Sequence, residues 1–122
     1  MQFRCLVVDD NKRFLEVAKR SLEFQGLAGV STAATIQGAL AAIAAEQPDV
    51  VLVDVSLGTE SGFDLVRQVA DRFPRLVGRM ILISTRAEED YAELLEDTPT
   101  VGFLAKSAMS VRAISAMIPD LT

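Results

Sequence analysis

Four short apolar runs punctuate the chain: Cys5-Leu6-Val7-Val8, Val50-Val51-Leu52-Val53, Met80-Ile81-Leu82-Ile83 and Val101-Gly102-Phe103-Leu104-Ala105. Each is continuous rather than alternating. Such runs, separated by longer segments of helical spacing, predict parallel strands buried on both faces of a sheet. Between Asn11 and Phe24, the residues Phe14, Leu15, Ala18 and Leu22 share one helical face, and Gly26 supplies a stop. Leu27 to Ala33 reads as a short, weak second strand. Thr35 caps a second helix that runs to Glu46, with Leu40 and Ile43 inward. Residues 56–62 are rich in turn formers and predict a loop. A third helix runs from Phe63 to Phe73 and ends at Pro74. A fourth spans Glu88 to Asp97, and a short last one spans Ser110 to Ile118. Five strand–helix units with no linker or repeat predict one domain over residues 1–122. Right-handed crossovers then place helices on both faces of the sheet.

The residues that follow each run carry the chemistry. The first run ends at Asp9-Asp10, the next at Asp54, the next at Ser84-Thr85 and the last at Lys106. In an open α/β sheet, ligands bind beyond the carboxyl ends of the strands. Three carboxylates, a hydroxyl and an ammonium therefore converge on one spot. Clustered carboxylates repel each other unless a cation joins them, and hard oxygen ligands suit Mg²⁺. A lysine and a hydroxyl facing them suit a phosphoryl group.

Composition narrows the choice. Half of the 122 residues are apolar, enough for a folded core, and the net charge of −5 argues against nucleic acid or an anionic membrane as the main partner. The chain contains no histidine, which excludes histidine acid–base chemistry and histidine metal ligands. The chain therefore cannot itself carry a phosphohistidine. The single cysteine, Cys5, lies inside an apolar run and reads as a core residue; an unpaired cysteine fits a reducing compartment. No signal peptide is expected at the start, where Gln2-Phe3-Arg4 leads into a strand, and no stretch is long and apolar enough to span a membrane. Gly-rich nucleotide-binding loops are absent from the sequence.

The acid pair Asp9-Asp10, the lone Asp54, Ser84 and Lys106, in this order and at these strand ends, resemble the receiver domain of bacterial two-component response regulators. Gly62, eight residues after Asp54, also fits, and the resemblance covers essentially the whole chain. It implies a flavodoxin-like doubly wound (βα)5 fold with strand order 2-1-3-4-5, which puts the weak second strand at an edge. It implies that Asp54 is the phosphoacceptor and that Asp9, Asp10, Asp54 and the backbone carbonyl of Ser56 hold Mg²⁺. Ser84 and Lys106 would contact the phosphoryl group, and Phe103 would be the switch aromatic. The partners implied are a histidine kinase or phosphotransfer protein in the cytoplasm. A homodimer or a protein target would meet the face of the fourth helix, fifth strand and last helix. The six acids between Glu88 and Asp97 suggest a basic target. No direct contact with nucleic acid or membrane is expected.

Three positions depart from the family pattern. Gly58 and Ser107 stand where prolines are usual, and Thr85 stands where a small residue is usual and narrows access. A cis bond without proline costs about 2.5–4 kcal/mol, so a trans Lys106–Ser107 bond and a rearranged loop are expected. These departures keep open a degenerate receiver that acts as an interaction module without phosphorylation. A phosphatase of the haloacid-dehalogenase type is a second alternative; it would need an acid two residues after Asp54, where Ser56 stands.

Overall fold

The computed structural model describes residues 3–85, 96, 98–100 and 102–121. The main sheet contains β1 (Arg4–Val8), β2 (Gly29–Ala33), β3 (Val50–Asp54), β6 (Met80–Ser84) and β7 (Gly102–Ala105). Its strands are all parallel, in the order β2-β1-β3-β6-β7. Two further strands, β4 (Ser56–Leu57) and β5 (Glu60–Ser61), form a separate antiparallel hairpin. With that hairpin set aside, the order is the expected 2-1-3-4-5.

The continuous apolar runs are explained by burial on both faces. Cys5, Val7, Val50, Leu52, Ile81 and Ile83 face α1 (Lys12–Phe24) and the C-terminal helix Val111–Met117. Leu6, Val8, Val51, Val53, Leu82 and the half-buried Phe103 face α2 (Ile36–Glu46) and α3 (Gly62–Arg72). Every residue of β3 and β6 is buried, whereas β2 at the edge is only partly covered. Cys5 is fully buried, and burial pushes its thiol up to about 12, so it behaves as a small hydrophobe.

Helix starts follow capping chemistry. The side chain of Asn11 accepts from the Phe14 N–H, that of Thr35 from Gly38, and that of Ser110 from Ala113. Three expectations need correction. The predicted loop after Asp54 is a hairpin, because Gly58 takes a φ of +67° and lets Leu57 pair with Glu60. Leu40 is only half buried; Ala39 and Ile43 make the inward face of α2. The second strand starts at Gly29 rather than Leu27. The predicted fourth helix, with Tyr91 and its acids, lies outside the described residues except for the exposed Glu96.

Candidate functional site

Strand register brings the predicted residues together. Val8 pairs with Val53, so Asp9 and Asp54 leave adjacent strands at the same level. Asp54 pairs with Ile83 and Ser84 with Ala105, so Ser84 and Lys106 each lie one step beyond. Carboxylate oxygens of Asp9, Asp10 and Asp54 all lie within 4.8 Å of one another. Asp9 is fully buried, Asp54 and Ser84 are buried, and Asp10 and Thr85 are exposed.

Lys106 reaches into this cluster with its side chain only 15% exposed. Its Nζ lies 2.5 Å from Asp9 Oδ2 and 3.3 Å from Asp54 Oδ2. The ammonium also lies over the Phe14 ring, 4.5 Å from its centroid. Backbone N–H groups hold the other carboxylate oxygens. Asn11 N donates to Asp9 Oδ1 at 2.8 Å, and Ser56 N to Asp54 Oδ1 at 3.4 Å. Asp9 Oδ2 has no hydrogen-bond partner among the described residues; its contact with Lys106 is an ion pair off hydrogen-bond geometry.

The electrostatics are unbalanced. Among the described residues, three carboxylates gather around one ammonium. Burial raises the Asp54 carboxyl above its usual range, and the Asp9 charge adds to this; Lys106 and the Ser56 N–H offset only part. For Lys106, burial works downward, but the Asp9 and Asp54 carboxylates outweigh it and raise its proton affinity. A cluster left with excess negative charge and a buried carboxylate oxygen without a hydrogen bond fits a hard divalent cation.

The surrounding backbone is shaped to hold the site. A Cβ on Gly62 would fall 2.0 Å from the Asp54 carbonyl oxygen, so only glycine lets α3 start against the end of β3. The Gly62 N–H donates to the Val55 carbonyl at 2.8 Å. The left-handed φ of Gly58 excludes the usual proline, whose ring fixes φ near −65°. This glycine turn lies beside Asp10, its virtual Cβ 3.7 Å from Asp10 Oδ2. Glu60 on the hairpin accepts from the Ile36 N–H at 3.0 Å and ties the loop to the start of α2. The Lys106–Ser107 bond is trans, and a 3-10 turn over Lys106–Ala108 leads away from the site. Asn11 and Phe14 are neighbours of the site that sequence reasoning missed. It read them as the helix start and a core position.

Known proteins resemble the chain throughout. Residues 5–118 match the family model described as the response regulator receiver domain. The chain is 39% identical over 80 residues to the response regulator MprA of Mycolicibacterium vanbaalenii, covering 63% of this chain and 34% of that protein. It is 28% identical over 110 residues to the heme response regulator HssR of Staphylococcus saprophyticus, covering 86% of this chain and 47% of that protein. The chain thus spans less than half the length of these curated relatives. A response regulator from Burkholderia pseudomallei, solved with a phosphorylated aspartic acid and a calcium ion, superposes with a TM-score of 0.78 at 29% identity, covering 94% of this chain and 66% of that one. A receiver domain protein from Methanospirillum hungatei gives 0.78 at 25% identity, covering 99% of this chain and 94% of that one.

Proposed function

The chain belongs to the response regulator receiver family, and on that premise we propose that it is a phosphorylation switch of a two-component system. Asp54 takes a phosphoryl group from the phosphohistidine of a partner histidine kinase or phosphotransfer protein. The observation that carries this reading is the cluster itself: three carboxylates within 4.8 Å, with the half-buried Lys106 ammonium between Asp9 and Asp54.

In the proposed step a carboxylate oxygen of Asp54 attacks the donor phosphorus in line. The new O–P bond makes an acyl phosphate as the P–N bond breaks, and the imidazole nitrogen departs with the electron pair. Lys106, 3.3 Å from Asp54 Oδ2, is placed to follow the charge onto a phosphoryl oxygen. The Ser84 hydroxyl donates to a second one. Asp9, Asp10, Asp54 and the Ser56 carbonyl would hold Mg²⁺. Bound there, the ion offsets the negative charge of the acids and of the transferring group. Later hydrolysis of the acyl phosphate resets the switch. The chain acts on itself and turns over no metabolic substrate.

Ser84 and Phe103 lie on adjacent strands and carry the change outward. Phe103 is half buried against the core on the same face of the sheet as α2 and α3, where a shift alters the neighbouring surface. The output is a protein contact in the cytoplasm, a second copy or a basic target, with no direct contact to nucleic acid. No helix among the described residues is long and apolar enough to cross a membrane.

The test is intact mass after incubation with Mg²⁺ and either acetyl phosphate or phosphoramidate, which has a P–N bond like phosphohistidine. One base-labile phosphoryl group is expected, and none when Mg²⁺ is chelated before the donor is added. An unmodified protein under both donors supports the degenerate receiver instead.

A further inference from the structure

The Phe14 ring is not explained by core packing alone. The residue is half buried, one turn into α1, and its N–H is held by the Asn11 side chain at 3.1 Å. That cap fixes the first turn of the helix so that the ring faces the site. Lys106 Nζ lies 4.5 Å from the ring centroid and 2.5 Å from Asp9 Oδ2, nearer to Asp9 than to Asp54 at 3.3 Å. We propose that Phe14 is a positioning residue whose ring face holds the Lys106 ammonium on the Asp9 side of the cluster, in competition with a divalent cation. This rests on the metal-binding reading given above.

A single oxygen decides the competition. Asp9 Oδ2 is buried and makes no hydrogen bond among the described residues, so it is the oxygen that both cations seek. Two cations seated on it repel each other. For a metal ion to take that oxygen, Lys106 moves toward Asp54 and leaves the ring. The cation–π attraction of a partly desolvated ammonium therefore stabilises the metal-free arrangement only. The resting site holds its lysine back until metal and phosphoryl group recruit it.

Two measurements test this. The chain has three lysines, Lys12, Lys19 and Lys106, so their side-chain resonances are easily told apart. In the metal-free protein the Lys106 ε-methylene protons should be shifted upfield of the other two by the ring current of Phe14. Saturating Mg²⁺ should move them back. By calorimetry, Phe14→Leu should bind Mg²⁺ about two- to tenfold more tightly than the wild type, from the usual strength of such contacts. Phe14→Tyr, which keeps a ring face, should behave as the wild type. An unshifted Lys106 resonance in the wild type overturns the proposal, and so does equal or weaker Mg²⁺ affinity in Phe14→Leu. If Phe14→Leu does not fold, the wild-type spectrum decides. A wild type that shows the ring shift and its reversal by Mg²⁺ but takes no phosphoryl group refutes the phosphoacceptor reading alone and leaves the role of Phe14 standing.

Discussion

Both ends of the parallel sheet carry charges, and the two ends handle them differently. At the amino ends, Arg79 pairs with Asp120 at 2.8 Å, and the Asp49 side chain accepts from the Arg4 N–H at 2.8 Å. Arg4, Arg75 and Arg79 donate to the carbonyls of Glu46, Pro48 and Asp49. Here charges lie near the surface and cations are plentiful. At the carboxyl ends, Asp9 and Asp54 are buried and share the Lys106 ammonium, Asp10 stands beside them, and among the described residues Asp9 Oδ2 lacks a hydrogen bond. A structural charge cluster satisfies itself. A cluster with more carboxylates than ammonium groups among the described residues fits the proposed binding of a cation and a phosphoryl group.

Substitutions at the two ends should differ in effect. Gly62→Ala should have the largest effect. Its Cβ would meet the Asp54 carbonyl, which is backbone and cannot turn aside. A loss of about 3 kcal/mol in urea denaturation is expected, the upper range for overpacking. A loss below 1 kcal/mol would mean that the carboxyl end is not built tightly around Asp54.

Mg²⁺ should stabilise the wild type by about 1.4 kcal/mol at ten times its Kd, seen as a higher melting temperature. Asp10→Ala should remove that shift without unfolding the protein, since Asp10 is exposed. A variant that keeps the full shift would exclude Asp10 from the metal site.

In metal-free protein, Asp54→Asn should raise stability at neutral pH by on the order of 1 kcal/mol, because it relieves a buried, repelled carboxylate. The pH dependence has a definite sign. The folded-state proton affinity of Asp54 is raised, so the native state binds that proton more tightly than the unfolded chain. The Asp54 contribution is therefore most favourable below the ordinary value of 3.8, and it is lost as pH rises through the raised folded value. The advantage of Asp54→Asn should open as pH climbs above 3.8 and vanish below it. An advantage that grows toward acid would contradict this electrostatic picture.

The smallest effect belongs to the other end of the sheet. Asp120 is 73% exposed, and Asp120→Asn should cost at most about 0.5 kcal/mol, less in high salt. It should leave Mg²⁺ affinity unchanged. A changed affinity would mean that the two ends are electrically coupled.

How much was legible in the sequence follows from the same physics. The central strands cover both faces, so Val50 to Val53 and Met80 to Ile83 had to be unbroken apolar runs, and they stand out. An acid or a lysine directly after such a run is equally visible, which is why Asp9, Asp54 and Lys106 were readable as neighbours. The hairpin was not, because two-residue strands at Ser56 and Glu60 are too short to show a period. Gly58 read as a missing proline, although its positive φ is what the turn requires. Phe14 fell on the apolar face of α1 by spacing alone. Periodicity assigns a residue to the core side but does not say that its ring meets a lysine near the rim.

In the proposed switch, the excess negative charge at the carboxyl ends serves transfer of a phosphoryl group to Asp54. The most direct test is reductive trapping. After acetyl phosphate and Mg²⁺, borohydride converts an aspartyl phosphate to homoserine, which tandem mass spectrometry locates in the chain. Homoserine at position 54, and none in the Asp54→Asn variant, is the expected result. Trapping at another residue, or equal trapping in that variant, would contradict the account.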